Sequence, residues 1–599
     1  MKLKRLPLIL ITSMLSLAGC SMFGGNSGEP FGDSSQPESG ESSFSGGESS
    51  QNDAGQSTNQ EGGSQQTGQS SNEPGGNSQG GGQTSQATGQ SSANQGGNSQ
   101  GGGQTSQATG QSSANQGGNS QGGGQTSQPA GGSSQGGGNT SINDENCIIK
   151  EETNITIWTT YNDTYQAIIN NAIEEFEKAE PHVHVTNTKQ SGSYDDLKTM
   201  CVNGFAVDNY PDMVAAYPDS VADFLNNFKA LDIEPYMTDP VIGWTEDDFD
   251  DIPENYIEAG QKYSMPGTYS LPCSKSTEAM YYNQDVLLGL DLSDIDSTIN
   301  NGRPLNEAYF QNITWDEMFE KLIPALDDYD TAADESHKLI DRKTNKDWAW
   351  LVYDSDDNFF ITLAEQYGYD YTSINQITGK GQIGFDNDGM KNLMRKFVGY
   401  YNNHYFTTKG ITKSNVNNYT TADQMLFAIG STGGVKYQFS SNNPHNVGVV
   451  CIPQAPGRPR KVISQGPDFA FLDHENENRA KATWLFYKLF TSKKYNTSWA
   501  LTTGYSPIRY SVMETRDYLD YIDISDKDPL TLDRLYALNA AYAGGIAENT
   551  FTSPVFKGSS EARVQVSSIF SACITAGSDL ENQIDGIFST AVNNTRLKM

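Results

Sequence analysis

Residues 21 to about 142 are built almost entirely of Gly, Ser, Gln, Asn and Thr, and no folded core can be made from them. A unit beginning Gly75-Gly76-Asn77-Ser78-Gln79 returns at Gly96 and at Gly117, a repeat of 21 residues. With almost no apolar side chain to bury, the stretch cannot offset the entropy of ordering its backbone. A solenoid is excluded for the same reason, because stacked repeats need an apolar face. The expectation for 20–145 is a flexible tether, spanning roughly 60 Å for ~120 residues by random-coil scaling. Adhesion through the Gln/Asn-rich repeat is the functional alternative. Any fold must therefore be made by the chain from 146 onward.

Ahead of the tether, Met1-Lys2-Leu3-Lys4-Arg5 is a basic start, followed by a short apolar run to Ala18. The run is too short for a comfortable membrane span and reads as an export signal over 1–19. It ends in Leu17-Ala18-Gly19-Cys20, which resembles the lipobox of bacterial lipoproteins. That resemblance implies a lipidated Cys20, a diacylglycerol and palmitate anchor on the outer face of the cell membrane, and two chains suffice for stable anchoring.

The formal net charge is -34. A surface so acidic repels phosphate backbones and argues against nucleic-acid binding. Beyond Cys20 there are Cys147, Cys201, Cys273, Cys451 and Cys573, widely spaced and without a CxxC pair. Buried thiols are expected rather than a disulfide framework or a zinc site.

From 146 the pattern changes. Ile155-Thr156-Ile157-Trp158 reads as a strand. Asp163 with Gln166 fits a loose capping box for a helix carrying Tyr165, Ile168, Ile169, Ala172, Ile173 and Phe176 at helical spacing. Pro181 closes it, and Val183-His184-Val185 is the next strand. A helix around Tyr194 to Met200 leads to a third strand at Pro211-Asp212-Met213-Val214-Ala215-Ala216. The alternation indicates βαβ units and a parallel sheet, with ligands beyond the carboxyl ends of the strands. The loops 159–163 and 217–220 then face a cleft.

Several segments in order carry a family likeness. They are Leu271-Pro272-Cys273-Ser274-Lys275-Ser276-Thr277 with Tyr281-Tyr282-Asn283, Thr314-Trp315-Asp316-Glu317-Met318, and Phe427-Ala428-Ile429-Gly430-Ser431-Thr432-Gly433-Gly434. Val447-Gly448-Val449, Gln465-Gly466-Pro467 and Gly504-Tyr505-Ser506-Pro507-Ile508-Arg509 follow. In this order they resemble the extracellular solute-binding proteins of sugar-type ABC importers, family 1, the maltose- and glycerol-phosphate-binding group. The resemblance implies an α/β, two-lobed, periplasmic-binding-protein-like (type II) fold with a hinge between lobes. Lobe 1 would comprise 146–272 and 465–510, lobe 2 273–464, and helices of 511–599 would pack across both. It implies capture of a small polar ligand by lobe closure, partnership with the membrane subunits of an importer, action as a monomer, no cofactor, no metal and no catalysis.

Hydroxyl-rich ligands call for amides, carboxylates and aromatic faces. The positions matching the family's cleft are Trp158, Tyr161, Asp163, Tyr217, Asp219, Lys275, Ser276, Ser431, Thr432, Gly433, Gly466, Asp468, Tyr505 and Arg563. Trp158 would otherwise be a buried strand residue, Tyr505 a turn aromatic and Arg563 a solvated helix charge. Tyr281 and Tyr282 suit the core better than the ligand. One departure stands out. Many sugar binders of the family carry tryptophan just after the second-lobe glycine loop, whereas 431–434 has none. Small residues with free N–H groups there suit an anionic group, so a polyol phosphate or phosphodiester is the alternative to carbohydrate.

Other function classes find less support. From 146 onward there is no H-E-x-x-H, P-loop or G-x-S-x-G; the G-x-S-x-G matches, such as Gly76 to Gly80, all fall in the coreless stretch, where no nucleophile elbow can form. His182 and His184 alternate on a strand as metal ligands can, but they match the family's ordinary second strand. The acidic run 354–357 lacks an EF-hand's glycine and terminal Glu. A glycan-acting enzyme or an adhesin remains the reading from another class.

Overall fold

The first structured strand alternates apolar Ile155 and Ile157, both buried, with Asn154 and Thr156, as a half-covered sheet requires. The computed structural model describes residues 147–340, 342, 348–413, 426–442 and 444–599. The expected signal segment, Cys20 and the repeat lie outside the described residues.

Two five-stranded sheets organise the described chain. The first contains β1 (Thr153–Thr159), β2 (Val183–Lys189), β3 (Met213–Ala216) and β4 (Ser270–Pro272), with β13 (Asp468–Phe471) inserted late, in the order β2-β1-β3-β13-β4. β1 runs parallel to β2 and β3, while β13 is antiparallel to β3 and β4. The sheet is therefore mixed rather than purely parallel, because β13 re-enters from the other lobe. The second sheet has β5 (Glu278–Asn283), β6 (Leu351–Tyr353), β9 (Phe406–Thr408), β10 (Phe427–Ser431) and β11 (Val447–Val450), ordered β11-β5-β10-β6-β9. Two small ribbons complete the set. β7 (Thr372–Asn375) pairs antiparallel with β8 (Lys380–Ile383), and β12 (Val462–Ile463) pairs parallel with β14 (Thr550–Phe551).

The helix Asp163–Ala179 buries Ile168, Ile169, Ala172, Ile173 and Phe176, each worth roughly 2 kcal/mol of apolar transfer for the larger side chains. Its N-cap is Asn162, whose side chain accepts from the Tyr165 N–H. Asp163, expected as the cap, occupies the next position and pairs with Lys189 at 2.6 Å. Asn162 takes the role because it holds the extended backbone conformation that a cap needs. At Thr314 the expected cap is present, with a reciprocal capping box to Glu317. The second helix extends further than its sequence pattern, over Tyr194–Phe205. Cys201, Cys273, Cys451 and Cys573 are free, buried thiols, and Cys147 is buried too.

The chain crosses between the sheets near Ser274 and near Gly466, where the two passes lie side by side. Ser274 N–H donates to Pro467 O at 3.1 Å, and Ser276 and Gln465 exchange backbone hydrogen bonds of 2.9 and 2.7 Å. Gly466 has φ +90°, and a Cβ there would lie 1.8 Å from the Ser274 carbonyl oxygen. Glycine alone fits so close a backbone approach. A third pass follows β14, where Val555 N–H donates to Lys262 O at 2.8 Å. The helix Ser559–Ala576 then packs on Asp356–Tyr367 of the second lobe.

Candidate functional site

Tyr505 follows the helix Lys493–Thr503 of the first lobe, whose end at Gly504 (φ +76°) turns the chain back toward the crossing. There Ser506 N–H donates to Lys275 O at 2.8 Å. The Tyr505 ring consequently meets the second-lobe loop. A Cβ on Gly433 would touch Tyr505 Cε1 at 3.6 Å, Ser431 Oγ at 3.6 Å and Ser276 Oγ at 3.7 Å. Ser431 caps the short 3-10 helix Thr432–Gln438, its Oγ accepting from Gly433 N–H at 3.3 Å. Tyr505, Ser276, Ser431 and Gly433 are thus brought together at the lobe junction.

Tyr217 extends this surface. Its ring sits edge-on to Tyr194 with centroids 5.0 Å apart, and Tyr194 shares a hydrogen bond with Tyr505. Burial raises the phenol pKa values of Tyr194, Tyr217 and Tyr505 above their ordinary value, so all three are neutral hydroxyls at physiological pH. Tyr217 still exposes 41% of its surface. Unpaired polar atoms lie nearby. Gln438 Oε1 at the end of that 3-10 helix, Gln465 Oε1 at the crossing and Tyr371 Oη beside Arg563 are buried without a hydrogen-bond partner among the described residues.

Asp219 and Arg563 meet at one end. Arg563 reaches Asp357 Oδ2 at 2.7 Å and Asn358 Oδ1 at 2.5 Å, with Asp219 Oδ2 3.9 Å from its Nε. Burial pushes the Asp357 carboxyl up, but the Arg563 charge together with hydrogen bonds from Ser355 and the backbone N–H groups of Asn358 and Asp357 holds the group below its ordinary value. Behind this lies Glu278, which sequence reasoning did not select. Its carboxylate accepts from the Tyr353 hydroxyl and, at 3.0 Å, from Asn358 Nδ2. Burial pushes its pKa up to about 7 against those two hydrogen bonds; the Asp357 charge adds to the rise and Arg563 opposes it. One signal was available in the sequence. Glu278 is the lone charge in a wholly buried strand, where an acid has to find partners.

The remaining expected residues are engaged by other groups of the protein or lie away from this cluster. Lys275 Nζ lies 2.5 Å from Asp468 Oδ1, and both side chains are buried. Thr432 exchanges hydrogen bonds with the Thr277 backbone at 2.8 and 3.0 Å. Gly466 permits the crossing. Tyr161 is buried, its hydroxyl 3.0 Å from Ser274 Oγ and its ring edge-on to Trp499. Trp158 packs in a separate cluster with Leu197, Cys201 and Val214. Asp163 lies on the surface with its side chain 93% exposed. His182 and His184 both contact the Glu152 carboxylate, at 3.1 and 3.3 Å. Tyr281 and Tyr282 are core residues.

Two α/β lobes joined by adjacent passes of chain, with a tyrosine-lined junction between them, define a two-lobed binding protein. The sequence from 171 to 525 matches the family model of bacterial extracellular solute-binding proteins, and the chain belongs to that family. No curated protein matches the sequence. Solved structures share the fold. A cyclic α-maltosyl-1,6-maltose binding protein from Arthrobacter globiformis aligns with TM-score 0.54 at 14% identity, over 74% of this chain and 98% of its own. UgpB from Mycobacterium tuberculosis, solved with glycerophosphocholine, gives 0.51 at 15%, over 74% and 99%. The GacH receptor of Streptomyces glaucescens, solved unliganded and with acarbose, gives 0.50 at 13%, over 75% and 98%.

Proposed function

We propose that the protein captures a neutral, hydroxyl-rich carbohydrate between its lobes and delivers it to the membrane subunits of an ABC importer. One observation carries the choice over a polyol phosphate. The two candidate cations at the junction, Lys275 and Arg563, are each held by carboxylates, while Tyr194, Tyr217 and Tyr505 line the surface as neutral rings. A phosphate gains little from a cation already neutralised, whereas a sugar ring stacks on tyrosine and exchanges hydroxyl hydrogen bonds with Gln438 and Gln465. The maltosaccharide and acarbose named for two structural neighbours support this reading, while the glycerophosphocholine of UgpB supports the phosphodiester alternative. Ligand contact is assigned to Tyr217, Ser276, Ser431, Gly433 and Tyr505. The protein works as a monomer held to the outer face of the membrane through lipidated Cys20, with the Gly/Gln-rich segment as its spacer.

Thermal unfolding of the full chain with a panel of oligosaccharides, glycerol phosphate and glycerophosphodiesters tests the proposal. A binder present at about 100 Kd adds about 2.7 kcal/mol of stability. Stabilisation by oligosaccharides supports the reading. Stabilisation by the phosphates alone replaces it with the phosphate-binding one, and turnover of a glycan without stabilisation replaces it with an enzyme.

A further inference from the structure

The contact between Asp219 and the helix Ser559–Ala576 joins the two lobes away from the crossing strands. Asp219 stands in the first turn of Pro218–Asn226, which leaves the first sheet directly after β3. The helix Ser559–Ala576 packs instead on Asp356–Tyr367 and Asp388–Asn402, both of the second lobe. Two of its side chains one turn apart reach across. The Ser559 hydroxyl donates to Asp219 Oδ1 at 2.8 Å, and Arg563 Nε lies 3.9 Å from Asp219 Oδ2. Through Nη2 Arg563 is fixed to the second lobe by Asp357 and Asn358, and Asn358 is fixed in turn by Glu278.

This arrangement is asymmetric in a useful way. Arg563 is rigidly held by its own lobe through two hydrogen-bonded partners and more loosely paired with the opposite one. A planar guanidinium pinned through Nη2 holds its Nε–H at a fixed angle, so the pairing with Asp219 requires little further ordering. Ser559 is buried, which places the shorter hydrogen bond where water competes least. None of the three side chains has to touch a ligand for the contact to act.

We propose that Asp219, Ser559 and Arg563 form an interlobe latch that favours the approach of the lobes before any ligand arrives. Ser559 and Arg563 are positioning residues. They raise the population of the binding-competent arrangement, so loss of the latch weakens apparent affinity by the same factor as it lowers that population. The inference rests on the two-lobed architecture and is independent of which solute is bound.

Pulsed electron–electron resonance between spin labels on the full chain tests it without ligand, using Asn227→Cys on the first lobe and Asp294→Cys on the second, both exposed sites. The latch predicts that Asp219→Asn and Arg563→Met each move about tenfold of the population toward longer distances, as expected for a charge-assisted contact. The double variant should go no further than the more affected single one. Ser559→Ala should give a smaller change in the same direction. Unchanged distances in Asp219→Asn, or effects of the two substitutions that simply add, overturn the proposal. If Arg563→Met unfolds, Asp219→Asn and Ser559→Ala decide the question, because their side chains are not held in the Asp357 network. A failure here leaves the carbohydrate reading standing, and a failure of the sugar panel leaves the latch standing.

Discussion

Lys275 Nζ and Asp468 Oδ1 lie 2.5 Å apart with 1% and 0% of their side chains exposed. The pair ties the crossing segment after β4 to the start of β13, just where the two sheets are joined. Each ion is far more expensive to bury alone than with its partner. Lys275→Met and Asp468→Asn should each destabilise the fold by about 3–5 kcal/mol. The double replacement by apolar residues should recover most of that loss. Urea unfolding of the four proteins checks it, and equal losses in the single and double variants would refute the account.

Tyr505→Ala removes the ring that faces Gly433 from across the junction. Ligand affinity should fall at least about tenfold, the effect of losing one stacked aromatic face with its buried area. Tyr505→Phe should keep most of the affinity. Isothermal titration with whichever sugar stabilises the wild type provides the measurement, and an unchanged constant for Tyr505→Ala removes the residue from the site.

Asp163→Asn serves as the opposite case. Its carboxylate lies on the surface against Lys189, outside the junction. Affinity should stay within about twofold of wild type, because exposed pairs contribute under about 1 kcal/mol. A larger loss in the same titration would return Asp163 to the ligand.

Glu278 sets a pH dependence. Its pKa in the folded protein is raised to about 7 from the usual carboxylate value. The folded state therefore binds the proton more tightly than the unfolded chain. Its contribution to stability is full below the unfolded value near 4.5 and is lost as pH rises through about 7. The loss is of the order of 3 kcal/mol between these limits. Denaturant midpoints measured from pH 4.5 to 8 should show that decline, and Glu278→Gln should flatten it. A wild-type slope retained in Glu278→Gln would assign the effect elsewhere.

Gly466→Ala places a methyl group 1.8 Å from the Ser274 carbonyl oxygen at a φ of +90°. The crossing must then separate or the backbone must change region, and a loss of at least about 2 kcal/mol is expected. Calorimetry reads it directly, and a melting temperature within a degree of wild type would contradict the close approach.

Periodicity located the first two strands and the helices beside them because their burial is local and one-sided, and β3 because it is a short, wholly buried apolar run. The mixed character of the first sheet was not legible from that pattern. β13 joins β3 across some 250 residues, and nothing within either strand encodes an antiparallel neighbour from so far away. At the site, Tyr505, Ser431 and Gly433 were legible through motif order. Trp158 packs behind β1 and Asp163 opens the following helix on the surface, and only the tertiary fold says which side of a strand or helix start holds the junction. Glu278, Asn358 and Tyr371 were not selected, since each acquires its meaning from partners on other elements.

The insertion of β13 between β3 and β4 has a consequence for biogenesis. As the chain grows from its N-terminus, β1 to β4 emerge long before the strand that separates β3 from β4. Until residue 471 is available, the sheet of the first lobe is limited to β2, β1 and β3, and β4 lacks the strand it pairs with. The earlier lobe in sequence is thus the one that waits. The second sheet, whose five strands all lie between 278 and 450, can be complete first and offer its neighbour a template on which to close.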